Sequence, residues 1–205
     1  MSSTAFELSN PGGSPLRPDD LFVRSLAVQG GEANIGGETT PFARVVMTGV
    51  QLKHVAPETR APRHQESAVL KLEHAARFAA ELRQIMNDMV RSTRTPTVAS
   101  AGTWSWTSVP PSDEDIFVHQ ATASGTAIAL TTGATPTMRV DYTGILMRGL
   151  SSSNPPLHVR GAIFSGPRQV QALITSLRKV VDSALEKQRL DTYMAGGEPL
   201  TAFGF

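Results

Sequence analysis

Residues 44–52 read RVVMTGVQL, and residues 139–147 read RVDYTGILM. The two stretches lie 95 residues apart and agree at an arginine, a valine, a threonine and a glycine. Both contain many β-branched or bulky apolar residues, a composition typical of β-strands. We therefore interpret them as the same strand written twice in one chain.

The match at this offset extends through most of the sequence. Residues 15–92 align without a gap on residues 110–187, with thirteen identities over 78 positions, among them Asp20 with Asp115. This similarity favours an internal duplication. The predicted divisions are an N-terminal arm at 1–14, a first repeat at 15–92, a linker or strand at 93–109, a second repeat at 110–187 and a tail at 188–205.

Each repeat has the same predicted order of elements. A strand (LFVRSLAV, IFVHQATA) precedes a short segment (EANIGG, TAIALTT), and a long strand (FARVVMTGVQLKHV, TMRVDYTGILMRGL) follows. A further strand (ESAVLKL, HVRGAIF) leads into a closing helix. Apolar residues at helical spacing give both helices a packing stripe. The stripes are Phe78, Leu82, Ile85, Met86 and Met89, and Leu173, Leu177, Val180, Val181 and Ala184.

Strands followed by one amphipathic helix, written twice, predict an α+β fold with an antiparallel sheet and helices on one sheet face. Alternation separates the faces of the second long strand. We expect Met138, Val140, Tyr142 and Leu146 to lie under the helices, and Arg139, Asp141 and Thr143 to lie on an open face.

Composition narrows the classes of function. Hydrophobic residues make up 40% and charged residues 18%, and the formal net charge is +1. Proteins that coat nucleic acid by charge alone carry a larger basic excess. Cysteine is absent, which excludes thiolate metal sites and cysteine nucleophiles. No stretch resembles a signal peptide or a membrane helix, so we expect a soluble protein.

Catalytic and cofactor motifs are not found in the sequence. The five histidines form no metal-binding pair, and the glycines of GGEANIGGE (30–38) lack the setting of a phosphate loop and indicate a turn. We expect no enzyme, no metal and no cofactor. Asp113–Asp115 is interpreted as a solvated turn. Trp104 and Trp106 are interpreted as core or subunit interface, with base stacking as the alternative.

The duplication places four polar residues on the predicted open face. Arginine can bind phosphate with its planar fork, and threonine offers a hydroxyl beside it. The competing interpretation is that the arginines pair with a nearby acid such as Asp141. The predicted nucleic-acid-binding residues are Arg44, Thr48, Arg139 and Thr143, with Arg24 and His119 from the first strands.

From residue 135 onward, the order of parts resembles the coat proteins of single-stranded RNA bacteriophages. MRVDYTGILMRGL is followed by a loop, by HVRGAIF, by the helix GPRQVQALITSLRKVVDSALEKQ and by a tail ending in aromatic residues. This resemblance implies a structural capsid protein that self-assembles into an icosahedral shell, with RNA bound on the sheet face opposite the helices. It also implies synthesis in the host cytoplasm and residence in the virion, with itself and single-stranded RNA as partners and no membrane.

The phage subunit is a single copy that dimerises, whereas two shorter copies are joined here. The segment STRTPTVASAGT (92–103) could link them, so that one chain replaces a two-fold dimer; we call this arrangement a pseudo-dimer. Strands plus a helix, written twice, also resemble Whirly and PUR-type single-stranded nucleic-acid-binding proteins. A phage structural or adaptor protein without a nucleic-acid role is the third alternative.

Overall fold

The protein has an α+β fold with a mixed sheet and two long helices. The computed structural model describes residues 7–9, 16–35, 37–54, 61–93, 103–106, 110–130 and 133–195. In the first half lie β1 (Glu7–Ser9), β2 (Leu21–Ile35), β3 (Glu38–Gln51), β4 (His64–Lys71) and α1 (Leu72–Thr93). In the second half lie β5 (Thr103–Trp106), β6 (Ile116–Leu130), β7 (Gly133–Leu146), β8 (His158–Ser165) and α2 (Gly166–Met194).

Three strands of each half form an antiparallel meander, β2–β3–β4 and β6–β7–β8. Leu21 lies opposite Gln51 in the first meander, and Ile116 lies opposite Leu146 in the second. The register of the first pair of strands is therefore the same in both halves at the offset of 95 residues. Each register also shifts once, just after Val23 and just after Val118.

Parallel pairing joins the two meanders at two places. At the β4–β6 junction Val69 lies opposite Phe117, and at the β2–β8 junction Phe22 lies opposite Ile163. Strand pairing thereby closes into a ring in the order β2, β3, β4, β6, β7 and β8. The short strands cross between halves, since β1 pairs with β6 and β5 pairs with β2. The expected antiparallel pairing is confirmed within each meander, but the sheet as a whole is mixed because these four pairings between the halves are parallel.

The last strand of each half departs from the gapless alignment. Gly49 lies opposite His64, whereas Gly144 lies opposite His158, so β4 and β8 correspond at an offset of 94. Gly166 restores the offset of 95 for the helices. Its φ of 73° lies in the left-handed region, which glycine adopts without a Cβ clash. The segment before β8 is one residue shorter than the segment before β4, and one extra residue at the start of α2 compensates for the difference.

Both helices pack on the same set of strand residues. One apolar cluster contains Val45, Met47, Val140 and Tyr142 together with buried residues of α1 and α2. The predicted apolar face of β7 is confirmed, since Met138, Val140 and Tyr142 belong to this cluster and Leu146 packs against it. The helical stripes are confirmed as well, with Phe78, Leu82, Ile85, Met86, Leu173, Leu177, Val180, Val181 and Ala184 buried; the side chain of Met89 lies outside the described residues.

Other elements are longer than expected. β2 continues to Ile35, so the predicted turn at GGEANIGGE is limited to the residues around Gly37, whose φ is 94°. α2 continues to Met194, past the predicted end of the second repeat at 187.

The predicted arm contains β1, which pairs with β6. β5 shows that Trp104 and Trp106 lie on a strand, but their side chains lie outside the described residues.

Candidate nucleic-acid interface

Arg44 lies on β3, on the face opposite the helices. Its Nε lies 2.8 Å from Asp115 Oδ2, and its Nη2 donates to Asp115 Oδ1 at 2.9 Å. A third nitrogen, Nη1, donates to Gln29 Oε1 at 3.2 Å. The side chain is only 17% exposed. The guanidinium therefore connects the two halves of the chain, and the expectation of an open position for it is wrong.

Arg139, on β7, is 2% exposed, so its predicted place on an open face is also wrong. Its Nη2 lies 3.1 Å from Asp20 Oδ2 and 2.8 Å from Asp141 Oδ1. Arg17 extends the network, with Nε 3.0 Å from Asp20 Oδ1 and Nη2 2.9 Å from Asp141 Oδ1. The competing interpretation, in which an arginine pairs with Asp141, is the one that the structure shows.

Two tight turns bury the acids of these pairs. Asp20 Oδ2 accepts the backbone N–H of Arg17 at 2.7 Å, and Asp115 Oδ2 accepts that of Ser112 at 2.7 Å. Since Asp115 is only 3% exposed, the prediction of a solvated turn is wrong at this residue. The sequence did contain a signal for both ion pairs, because the arginine and the aspartate of each pair both recur at the offset of 95.

The predicted threonines are more accessible. Thr48 and Thr143 are both half-buried on the face opposite the helices. Thr48 lies opposite Gln65 of β4, and Thr143 lies opposite Val159 of β8. The two pairs of residues correspond between the meanders, and both threonine side chains are partly exposed.

Arg24 and His119 occupy the two register shifts, where one extra residue interrupts the ladder. The Arg24 guanidinium carbon lies 4.8 Å from the centre of the Phe22 ring, a cation–π distance. The His119 ring stands edge-on to Phe117, with 5.3 Å between ring centres. Both phenylalanines are buried, so they support the basic side chains and present no ring face to a nucleic-acid base.

Further basic residues gather around His119. Val69 and Phe117 are opposite each other in a parallel pair, so Lys71 and His119, two residues further on, lie on the same face of neighbouring strands. His74 lies in the first turn of α1, and Arg77 follows one turn later. We name Lys71, His74, Arg77 and His119 the basic cluster.

The members of the basic cluster affect the pKa values of its two histidines. Burial lowers the pKa of His74, and the charges of Lys71, Arg77 and His119 lower it further. Glu73 opposes this effect from 3.4 Å. Burial also lowers the pKa of His119, and Lys71 adds to the shift. Both imidazoles are therefore held in the neutral form near neutral pH by burial and by neighbouring positive charge.

The other junction lacks this accumulation of charge. At the positions that correspond to Lys71, His74 and Arg77, it has Ser165, Gln169 and Ala172. Gln169 Nε2 donates to the Val23 carbonyl at 3.1 Å, and its Oε1 accepts the Ser165 N–H at 2.8 Å. Neutral residues thus suffice at the strand and helix positions of this junction, while Arg24 occupies the bulge in the place of His119.

A polar contact lies at the margin of the apolar cluster between strands and helices. Tyr142 donates a hydrogen bond to Glu66 Oε2 at 2.8 Å. Burial raises the pKa of Glu66, while Tyr142 and Arg160 oppose the shift. An apolar cavity of about 30 Å³ lies beside this pair and is lined by residues such as Ala68, Ala121 and Phe164.

Within the described ranges, no group of histidine, aspartate and glutamate residues is arranged to hold a metal ion. None of the described helices combines the length and the apolar character needed to cross a membrane. No protein-family model, curated protein or solved structure matches the chain.

Proposed function

We propose that the chain is a pseudo-dimer that serves as a coat-like structural protein, assembling with further copies of itself and contacting single-stranded RNA. It would be made in a host cytoplasm and incorporated into a virion, as the resemblance to bacteriophage coat proteins implies. The observation that carries this proposal is the reciprocity of the contacts between the two halves.

The contacts are reciprocal in the same sense as those of a two-fold interface, where residue i meets residue j′ and residue j meets residue i′. Arg44 of the first half pairs with Asp115 of the second, and Arg139 of the second half pairs with Asp20 of the first. The parallel junctions are reciprocal in the same way, since β4 pairs with β6 and β8 pairs with β2. So are the short strands, since β1 pairs with β6 and β5 pairs with β2. These features support a subunit in which one chain takes the place of a two-fold dimer.

An exposed apolar patch supports assembly beyond the single chain. Leu157 is 65% exposed and Val159 is 47% exposed, at the start of β8. The corresponding residues beside β4 are the polar Arg63 and Gln65. β8 pairs with β2 only at Ala162 and Ile163, so within the described chain its earlier residues keep one edge without a partner strand. Such an edge favours contact with a second copy.

We assign the RNA contact to side chains that take no part in the buried ion pairs between the two halves. Arg44 and Arg139 are committed to buried ion pairs, whereas Arg24 is exposed and His119 belongs to the basic cluster. Thr48 and Thr143 lie on the same face. Phosphate contacts from such residues position RNA without reading its sequence.

Size-exclusion chromatography with light scattering and ultraviolet absorbance tests this function on protein purified from bacteria. Large particles that absorb like nucleic acid are the expected result, and negative-stain microscopy of that peak should show shells. A small species without nucleic acid would contradict the coat function.

A single-stranded nucleic-acid-binding module of Whirly or PUR type is the second candidate. It is favoured by β1 and β5, which give each half four strands before its helix. A small oligomer that binds single-stranded DNA and RNA with similar affinity, and that forms no particles, would favour this candidate.

A further inference from the structure

We propose that the basic cluster of Lys71, His74, Arg77 and His119 is a binding site for a phosphate group. The assignment of that phosphate to the backbone of single-stranded RNA rests on the proposed function. The site would fix where the RNA crosses the β4–β6 junction.

Three elements bring the cluster together. Lys71 ends β4, His74 and Arg77 lie on successive turns of α1, and His119 occupies the shifted position of β6. The amides in the first turn of α1 lack partners within the helix, and the helix dipole favours an anion at this end. Glu73 is the acid that acts on His74 here, and its side chain is 68% exposed.

The two halves provide an internal comparison. Ser165, Gln169 and Ala172 replace Lys71, His74 and Arg77 at the corresponding joint, so the fold does not require these three basic residues. The fourth position is basic in both halves, with Arg24 in the place of His119. At the cluster, by contrast, Lys71 acts on both histidines as a like charge. Three basic residues that lie together at one junction, and that the other junction replaces by neutral ones, indicate a function.

The chemistry of the cluster fits phosphate. Arg77 can offer two parallel N–H groups, Lys71 adds a flexible ammonium, and protonated imidazoles add donors that match the several oxygens of a phosphate. A phosphate would also raise the pKa of His74 and His119 and would offset the repulsion from Lys71 and Arg77. Binding should therefore tighten as the pH falls from 7.5 towards 5.5.

The test replaces the cluster with the residues of the other half, in the variant Lys71→Ser/His74→Gln/Arg77→Ala. Its matched control, Arg83→Ala/Arg178→Ala, removes two positive charges from exposed positions on the helices. Fluorescence anisotropy of a labelled single-stranded oligoribonucleotide gives the affinity at several salt concentrations. We expect about tenfold weaker binding for the cluster variant, and a salt slope lower by about 0.7 for each phosphate that the variant no longer neutralises.

Equal affinity of the cluster variant and the unmodified protein would overturn the proposal, as would equal losses of affinity in the cluster variant and the control. Thermal unfolding checks that the triple variant is folded, and Lys71→Ser alone replaces it if it is not. Calorimetry with inorganic phosphate separates the two proposals. If the unmodified protein binds phosphate but not RNA, and the cluster variant binds neither, the phosphate site is supported and the RNA contact is refuted. If the unmodified protein binds neither phosphate nor RNA, the phosphate site is refuted.

Discussion

Arg139 lies 3.1 Å from Asp20, a residue of the other half of the chain, and both side chains are almost completely buried. Arg44 and Asp115 make the corresponding pair at the other junction. The two ion pairs close the ring of strands at opposite junctions. Arg44 and Arg139, which the sequence predicts to bind nucleic acid, therefore form buried ion pairs between the two halves of the chain.

Replacing the two arginines should have unequal effects. Arg44→Met leaves Asp115 buried without its partner, and such a loss typically costs about 3–5 kcal/mol. Arg139→Met should cost less, because Arg17 remains 3.0 Å from Asp20. Urea unfolding measures both, with the exposed Arg178→Met as control, which should change the free energy of unfolding by less than about 0.5 kcal/mol. Equal costs for the two variants would contradict the role given to Arg17.

Gly49 and Gly144 should tolerate no side chain. A Cβ on Gly49 would lie 2.1 Å from the Phe22 carbonyl oxygen, and one on Gly144 would lie 2.1 Å from that of Phe117. Alanine at either position forces the neighbouring strand to move, at an expected cost of about 3 kcal/mol. At Gly149 the nearest atom is 3.2 Å away and belongs to a side chain, so Gly149→Ala should cost much less. Thermal unfolding of the three variants checks this order.

The histidines of the basic cluster should make stability depend on pH. Their folded pKa values are lowered from 6.5, so the unfolded chain binds protons more tightly. Stability is therefore complete above about pH 6.5 and is lost as the pH falls towards the folded pKa values. His74→Gln/His119→Gln should flatten this part of the profile, as measured by urea midpoints at pH 7.5 and 5.5. The facing charges of Lys71, Glu73 and Arg77 stay in place in this variant. An unchanged dependence of the free energy of unfolding on pH would therefore refute the assignment of this dependence to the two histidines.

Glu66 should act in the opposite direction. Its folded pKa is raised from 4.5, so the folded protein holds the proton more tightly and stability falls as the pH rises from about 4.5 through the folded value. Tyr142→Phe removes the hydrogen bond to this carboxylate and should cost about 1–3 kcal/mol at pH 7. The cost should shrink at pH 4, where Glu66 is protonated. A pH-independent cost in chemical denaturation would show that poorer packing alone explains it.

Assembly should depend on the apolar patch beside β8. Leu157→Asp/Val159→Lys places charges on both exposed side chains and should prevent particle formation while the fold is retained. Gln65→Lys, on the corresponding strand of the first half, is the control and should leave assembly intact. Light scattering compares the variants. Particles of unchanged size from the Leu157/Val159 variant would exclude this edge from the assembly contact.

Local patterns in the sequence were sufficient for the helices and for the faces of the long strands. The stripe through Leu82 and Leu177, and the alternation through Val140 and Tyr142, follow from the periods of helix and strand. These periods depend on neighbouring residues only, so they can be read without knowledge of the rest of the chain.

Periodicity cannot identify which strand lies beside which. The pairing of Val69 with Phe117, and therefore the meeting of Lys71 with His119, joins residues from different halves. Burial of Arg139 escaped prediction for a related reason. A buried arginine and a surface arginine look alike in sequence until the paired aspartate is placed.

Sedimentation velocity of the purified chain, before and after nuclease treatment, tests most directly whether the protein is a self-assembling, RNA-contacting subunit, as we propose. We expect a fast-sedimenting particle with bound nucleic acid, built from chains of 21.9 kDa. A single slow species of 21.9 kDa, free of nucleic acid under all conditions, would contradict the proposed function.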